Sequence, residues 1–167
     1  KHLPTRFDEL KSFDYGAPLG VTDKTVMREI QLPQDAFVRE VGLTPESPYL
    51  WGADLQHNRL LRVDPDTGEQ KPYPIPYAGP TGPHTIVDTP DGKFWVTMLE
   101  QGVVGRFDPK TEQWQLFDKF RKYEMAHDIA PDYRFQAAPD PKGRYWFTLI
   151  GSNRMVSLDL ATGEIAT

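Results

Sequence analysis

The 167-residue sequence contains no cysteine. Disulfides, a thiolate nucleophile and cysteine-ligated zinc are thereby excluded, while oxidising and reducing compartments both stay open. No apolar run approaches the roughly 18 residues that cross a bilayer as a helix, so no transmembrane segment is expected. Positive charge is not in excess. The 19 Lys and Arg residues face 24 Asp and Glu, a formal net charge of −5, which gives no general attraction to nucleic-acid phosphates. A Gly-rich phosphate loop, a Ser-nucleophile motif and a His-Glu-x-x-His pair are all missing. Asp64-Pro-Asp-Thr-Gly68 has the look of a calcium loop, but it lacks the third ligand spacing and the terminal Glu of an EF-hand. The chain begins at Lys1 without a visible signal peptide, which reads as a removed leader or an excerpt of something longer.

What the sequence does have is turns and aromatics. Sixteen Pro and 13 Gly would break long helices and suit many short strands. Hydrophobic clusters between the charged residues argue against global disorder. Three segments repeat: Tyr49–Asp64, Lys93–Asp108 and Arg144–Asp159. In each, a Trp leads an Asp by 13 residues, at Trp51, Trp95 and Trp146. Each half of the segment alternates apolar and polar residues, as half-buried strands do. Between the halves stand Asn58, Gly102 and Asn153, each seven residues after its Trp. Asn and Gly share a tolerance for left-handed backbone, which a tight hairpin needs. Each second strand ends in turn chemistry, at Asp64-Pro-Asp-Thr-Gly68, Asp108-Pro-Lys-Thr-Glu112 and Asp159-Leu-Ala-Thr-Gly163, with Glu112 departing from the pattern.

A further strand follows each Asp turn, over Lys71–Pro76, Gln113–Phe117 and Glu164–Thr167. Another precedes each Trp, over Val38–Leu43, Pro83–Asp88 and Asp132–Ala137. Val26–Leu32 reads as the outer strand of a preceding unit, and Phe117–Met125 as one or two helical turns of a decorating loop. Four short strands in about 45 residues, repeated, mark an all-β fold: a β-propeller of four-stranded blades. The reading gives an N-terminal segment over 1–25 and a partial propeller over 26–167. The blades span about 34–76, 77–117 and 132–167, with an insertion at 118–131. Closed propellers have about 4–8 blades, so three make an incomplete ring of roughly half the usual size. The remainder is expected from the same or another chain.

Trp95-Val-Thr, Trp146-Phe-Thr and the following Asn-Arg-Met-Val or Gly-Val-Val-Gly-Arg resemble the recurring pattern of the virginiamycin B lyase (streptogramin lyase) propellers. Pro83-His84-Thr85-Ile86 resembles that family's inner-strand motif. The resemblance covers roughly residues 26–167. It implies a central channel lined by innermost strands, and an active site that opens the ring ester of a cyclic depsipeptide by elimination. It further implies a magnesium ion, inner-strand histidines with one as general base, and an acid close after a blade's Trp. A metal would polarise the ester carbonyl, and a histidine titrating near neutrality would take the α-proton.

Carried over by position, His84 matches the inner-strand histidine, as base or metal ligand. Alignment on the Pro-bearing turns puts Arg39 and Tyr133 at the same place, where they would line the channel beside His84 and bind an anionic or aromatic group. Three residues after Trp stand Asp54, Met98 and Leu149, and Glu100 lies five after Trp95, so Asp54 and Glu100 are the weak candidates for the metal. The plainer alternatives are an Asp54 that caps a turn or pairs with an Arg, and a His84 bonded to a neighbouring blade. His57 is expected at a solvated hairpin tip, and His127-Asp128 in the insertion near the channel mouth. Trp51, Trp95 and Trp146 are expected to pack between blades, and Trp114 to mark a partner surface.

The leading expectation is a module that binds a small molecule or a protein partner, or acts as a scaffold. The first alternative is a magnesium-dependent carbon–oxygen lyase with part of its site outside this stretch. The second is a lactonase-like propeller with a central divalent ion. By resemblance, the setting is bacterial and periplasmic or extracellular.

Overall fold

The computed structural model describes residues 29–44, 47–89, 91–118, 126–131, 144–150, 152–159, 162 and 164–166, with 127–131 as backbone only. The described strands form three antiparallel four-stranded sheets. The first holds β1 (Val38–Gly42), β2 (Leu50–Asp54), β3 (Arg59–Val63) and β4 (Gln70–Pro74). The second holds β5 (Pro83–Asp88), β6 (Phe94–Met98), β7 (Val103–Asp108) and β8 (Gln113–Phe117). The third holds β9 (Ala126–Pro131), β10 (Arg144–Leu149), β11 (Arg154–Asp159) and β12 (Ile165–Ala166). Within each sheet the strands pair in chain order, the meander of a propeller blade. Among the described residues no helix is long and apolar enough to cross a membrane.

The turns use the chemistry expected of them. Asn58, Gly102 and Asn153 all take left-handed backbone, at φ 50°, 55° and 54°. Asp64 Oδ1 accepts from the amides of Asp66 and Thr67, and Asp108 Oδ1 from those of Lys110 and Thr111. Glu112 adopts the positive φ (58°) that Gly68 has in the first blade (77°). Its carboxylate accepts from Lys71 Nζ at 2.7 Å and Tyr73 OH at 3.0 Å, tying this turn to the outer strand of the first blade.

The core lies between sheets. Trp51, Ala53, Leu60 and Tyr73 of the first blade pack on Ile86, Phe94, Val96 and Phe107 of the second. Trp95 and Val104 of the second pack on Tyr145, Phe147, Val156 and Leu158 of the third. The same contact recurs one blade on. Trp51 meets Tyr73 and Phe94 at ring distances of 5.2 and 5.4 Å, and Trp95 meets Phe117 and Tyr145 at 5.3 and 4.9 Å. Trp51 and Trp95 are thus each a wedge between their own outer strand and the next blade.

Three expectations need correction. The strand paired with β10 is Ala126–Pro131, inside the segment read as an insertion, rather than Asp132–Ala137. The Pro-bearing turn at 138–141 predicts a short link into β10, whereas 12 residues, 132–143, lie between β9 and β10. Of the helical turns expected over Phe117–Met125, Phe117 is the last residue of β8 and 119–125 lie outside the described residues, as do 132–137. Trp114 is no open patch: its ring packs 4.9 Å from that of Phe107 and covers Gly105, where an added Cβ would come within 2.8 Å of the indole. Of the outer strand proposed at Val26–Leu32, the described part, 29–32, is without regular strand pairing.

Candidate functional site

The site is built by β1, β5 and β9, the first strand of each blade, with β5 between the other two. Their pairing with β2, β6 and β10 fixes equivalence independently of sequence. Val38, Pro83 and Ala126 stand opposite Asp54, Met98 and Leu149, the residues three after each Trp. The next residues are therefore Arg39, His84 and His127. Arg39 and His84 stand where alignment had placed them, but the third member is His127, while Tyr133 lies outside the described residues. The signal was present: Ala126-His-Asp-Ile129 repeats the x-His-x-Ile of Pro83-His-Thr-Ile86.

All three inner strands carry one extra residue at this point. Between the partner of Trp+3 and the next paired residue, register slips in β1 (Val38/Glu40), in β5 (Pro83/Ile86) and in β9 (opposite Phe147/Leu149). A bulge re-aims side chains and leaves backbone groups to be satisfied otherwise. In the second blade Thr97 Oγ1 accepts the Thr85 amide at 3.1 Å. His84 is 7% exposed, with Nδ1 3.2 Å from Thr85 Oγ1. From the neighbouring blade, Glu40 Oε2 accepts the Ile86 amide at 3.3 Å. Arg39 is exposed.

Of the two acidic candidates, Asp54 is spent on structure. Asp54 is wholly buried and accepts from the Phe37 amide (3.0 Å), His57 Nδ1 (3.1 Å) and Arg59 Nε (2.7 Å). Burial opposes its ionisation. The hydrogen bonds from Phe37, Arg59 and His57 outweigh that and hold its pKa below the ordinary 3.8. The His57 ring is not simply solvated, since its Nε2 also lies 3.2 Å from Asp35 Oδ2. Met98 and Leu149, at the equivalent acidic positions, are buried and apolar. Glu100 sits exposed at the β6–β7 turn, its amide on Thr81 O (3.0 Å) and its side-chain carbons against Gly82. Magnesium needs several oxygen ligands, and among the described residues no three His, Asp or Glu gather, so these residues do not fit a magnesium shell.

These blades are matched in solved structures. Virginiamycin B lyase from Staphylococcus aureus superposes with a TM-score of 0.68 at 22% identity over 87% of this chain. The chain folds as part of a β-propeller. It spans 45% of that lyase's length. A catalytically inactive variant of the same enzyme with quinupristin matches at TM-score 0.69, 22% identity and the same coverage of both chains. A streptogramin B lyase structure matches at 0.57 and 22% over 71% of this chain and 36% of its own. Propellers beyond the lyases share the fold, among them YCF48 bound to a D1 peptide (0.56, 18%, 78% of this chain and 39% of that one). No protein-family model and no curated protein sequence matches the chain.

Proposed function

We propose that this chain is the histidine-bearing arc of a ligand-binding propeller, working by recognition rather than by metal-assisted elimination. One observation carries the reading. Three inner strands bring Arg39, His84 and His127 to a single register position beside a shared bulge, while the acidic positions opposite hold a committed Asp54 and apolar Met98 and Leu149. Guanidinium and imidazole groups supply hydrogen-bond donors, which suits an anionic or carbonyl-rich ligand such as a peptide or cyclic ester. A structural neighbour bound to a peptide supports the partner class. Neighbours that are extracellular propeller domains support a setting outside the cytoplasm.

The second reading is a carbon–oxygen lyase whose acidic ligands come from blades outside this stretch. The second histidine favours it, since elimination needs a base and a partner group. A lactonase-like central ion has less support, because the side-chain oxygen of Asn58 already serves the next blade.

Quinupristin separates the readings. The chain, together with the blades that complete its ring, is incubated with it with and without magnesium, and binding is followed through the imidazole NMR signals. Ring opening is followed by chromatography, because elimination leaves the mass unchanged. The binding reading expects shifts at His84 and His127, affinity about tenfold lower in His84→Ala, and intact ring. Ring opening that requires His84 would replace it with the lyase reading.

A further inference from the structure

An opening among the described residues lies at the β10–β11 hairpin and adjoins the inner-strand row at Leu149, which pairs with Ala126. It measures about 490 Å³ and is lined by Thr148, Leu149, Ile150, Asn153, Arg154 and Met155. Every one of these is the counterpart, 95 positions on, of a residue in the β2–β3 hairpin: Ala53, Asp54, Leu55, Asn58, Arg59 and Leu60. In the first blade that surface is covered. Leu60 is wholly buried and Leu55 half-buried, whereas their counterparts Met155 and Ile150 are 60% and 41% exposed.

Ala53 and Leu60 pack against Ile86, Phe94, Val96 and Phe107 of the second blade, and the loop leading into β5 is fixed to the hairpin tip. Asn58 Oδ1 accepts from the Thr81 amide (2.7 Å), Thr81 Oγ1 (3.1 Å) and the Gly82 amide (3.2 Å). Gly82 sits at φ 59°, and an added Cβ there would meet Glu100 Cγ at 2.9 Å, so the loop requires glycine. The hairpin-tip asparagine is therefore both a left-handed turn residue and a clamp on the next blade. Gly102, at the second tip, has the same backbone and no clamp. Asn153 has the left-handed backbone of Asn58, at φ 54°, and the same side-chain chemistry, exposed.

We propose that Asn153 and the cavity beside it receive the lead-in loop of a further propeller blade, built as Thr-Gly-Pro or Ser-Gly-Pro before its inner strand. The occupant is not the first blade of a second copy. The positions equivalent to Thr81 and Gly82 there are Ala36 and Phe37. Their amides are already engaged, on Pro33 O (2.9 Å) and Asp54 Oδ1 (3.0 Å). The second blade's own loop is held by Asn58. The cavity is thus matched to one kind of partner surface.

The test titrates the isotope-labelled 167-residue chain with a synthetic peptide of its own residues 78–98, which carries a Thr-Gly-Pro lead-in and its hairpin. Saturable NMR shifts are expected at the Asn153 side-chain amide and at Ile150 and Met155. Asn153→Gly keeps the left-handed backbone and removes the acceptor, so affinity falls about tenfold. Asn153→Asp keeps the acceptor and the binding. Gly82→Ala in the peptide abolishes it. The proposal is overturned by no shifts at millimolar peptide or by shifts confined to other surfaces. Unchanged affinity in Asn153→Gly, or self-association of the chain alone through the Met155 face, would overturn it equally.

Discussion

Asp54 and Asn58, four residues apart, hold the first blade together by opposite means. Asp54 keeps a buried charge surrounded by donors. Removing one side of such a pair leaves the other uncompensated, so Asp54→Ala should cost about 3 kcal/mol in urea unfolding at neutral pH. Its folded pKa lies below 3.8. The stabilisation is then complete above the ordinary carboxylate range and fades as pH falls through the lowered folded value. The gap between Asp54→Ala and the parent chain should therefore narrow in unfolding measured at strongly acid pH. Asn58 works through geometry. Asn58→Gly keeps φ 50° and loses three accepted bonds, and should cost about 1–3 kcal/mol. Asn58→Ala should cost about 1 kcal/mol more, because alanine strains the left-handed turn.

At the scale of strands, what was legible was whatever repeats in sequence. The Trp-to-Asp spacing, the Asn or Gly tips and the Asp turns predicted the hairpins, and Pro83–Asp88 and Gln113–Phe117 coincide with β5 and β8. The third inner strand lies on its own x-His-x-Ile, 12 residues before β10, too far for the turn residues at 138–141 to locate it. The shared bulge left no mark at all, since one extra residue leaves the alternation intact on either side. Of the network around Asp54 the pairing with an Arg was legible, whereas its other donors, the Phe37 amide and the His57 ring, are set by the fold. The wedge role of the repeat tryptophans yields a comparison within one molecule. Trp95 is closed between two blades, while Trp146 is half-buried on the open side of the third. Trp95→Ala should lose about 3–5 kcal/mol in thermal or urea unfolding, and Trp146→Ala distinctly less.

Across the whole molecule, three blades make an arc with two different ends. At one, Leu50, Gly52, Val41 and Val63 occupy the places that Phe94, Val96, Ile86 and Phe107 fill in the second blade, and they line a groove of about 230 Å³ partly covered by Ile30 and Leu32. At the other lie Trp146, Asn153 and Met155. Between the ends runs the row on which the functional reading depends, and its third member stands on the register of β9. Because the chain has no cysteine, that register can be read by disulfide trapping. Ile129 lies directly opposite Phe147. The account predicts that Ile129→Cys with Phe147→Cys closes a disulfide under mild oxidation, and that Phe135→Cys with Phe147→Cys does not. Closure of the Phe135 pair alone would move the inner strand to residues 132–137, put Tyr133 beside His84, and remove His127 from the site.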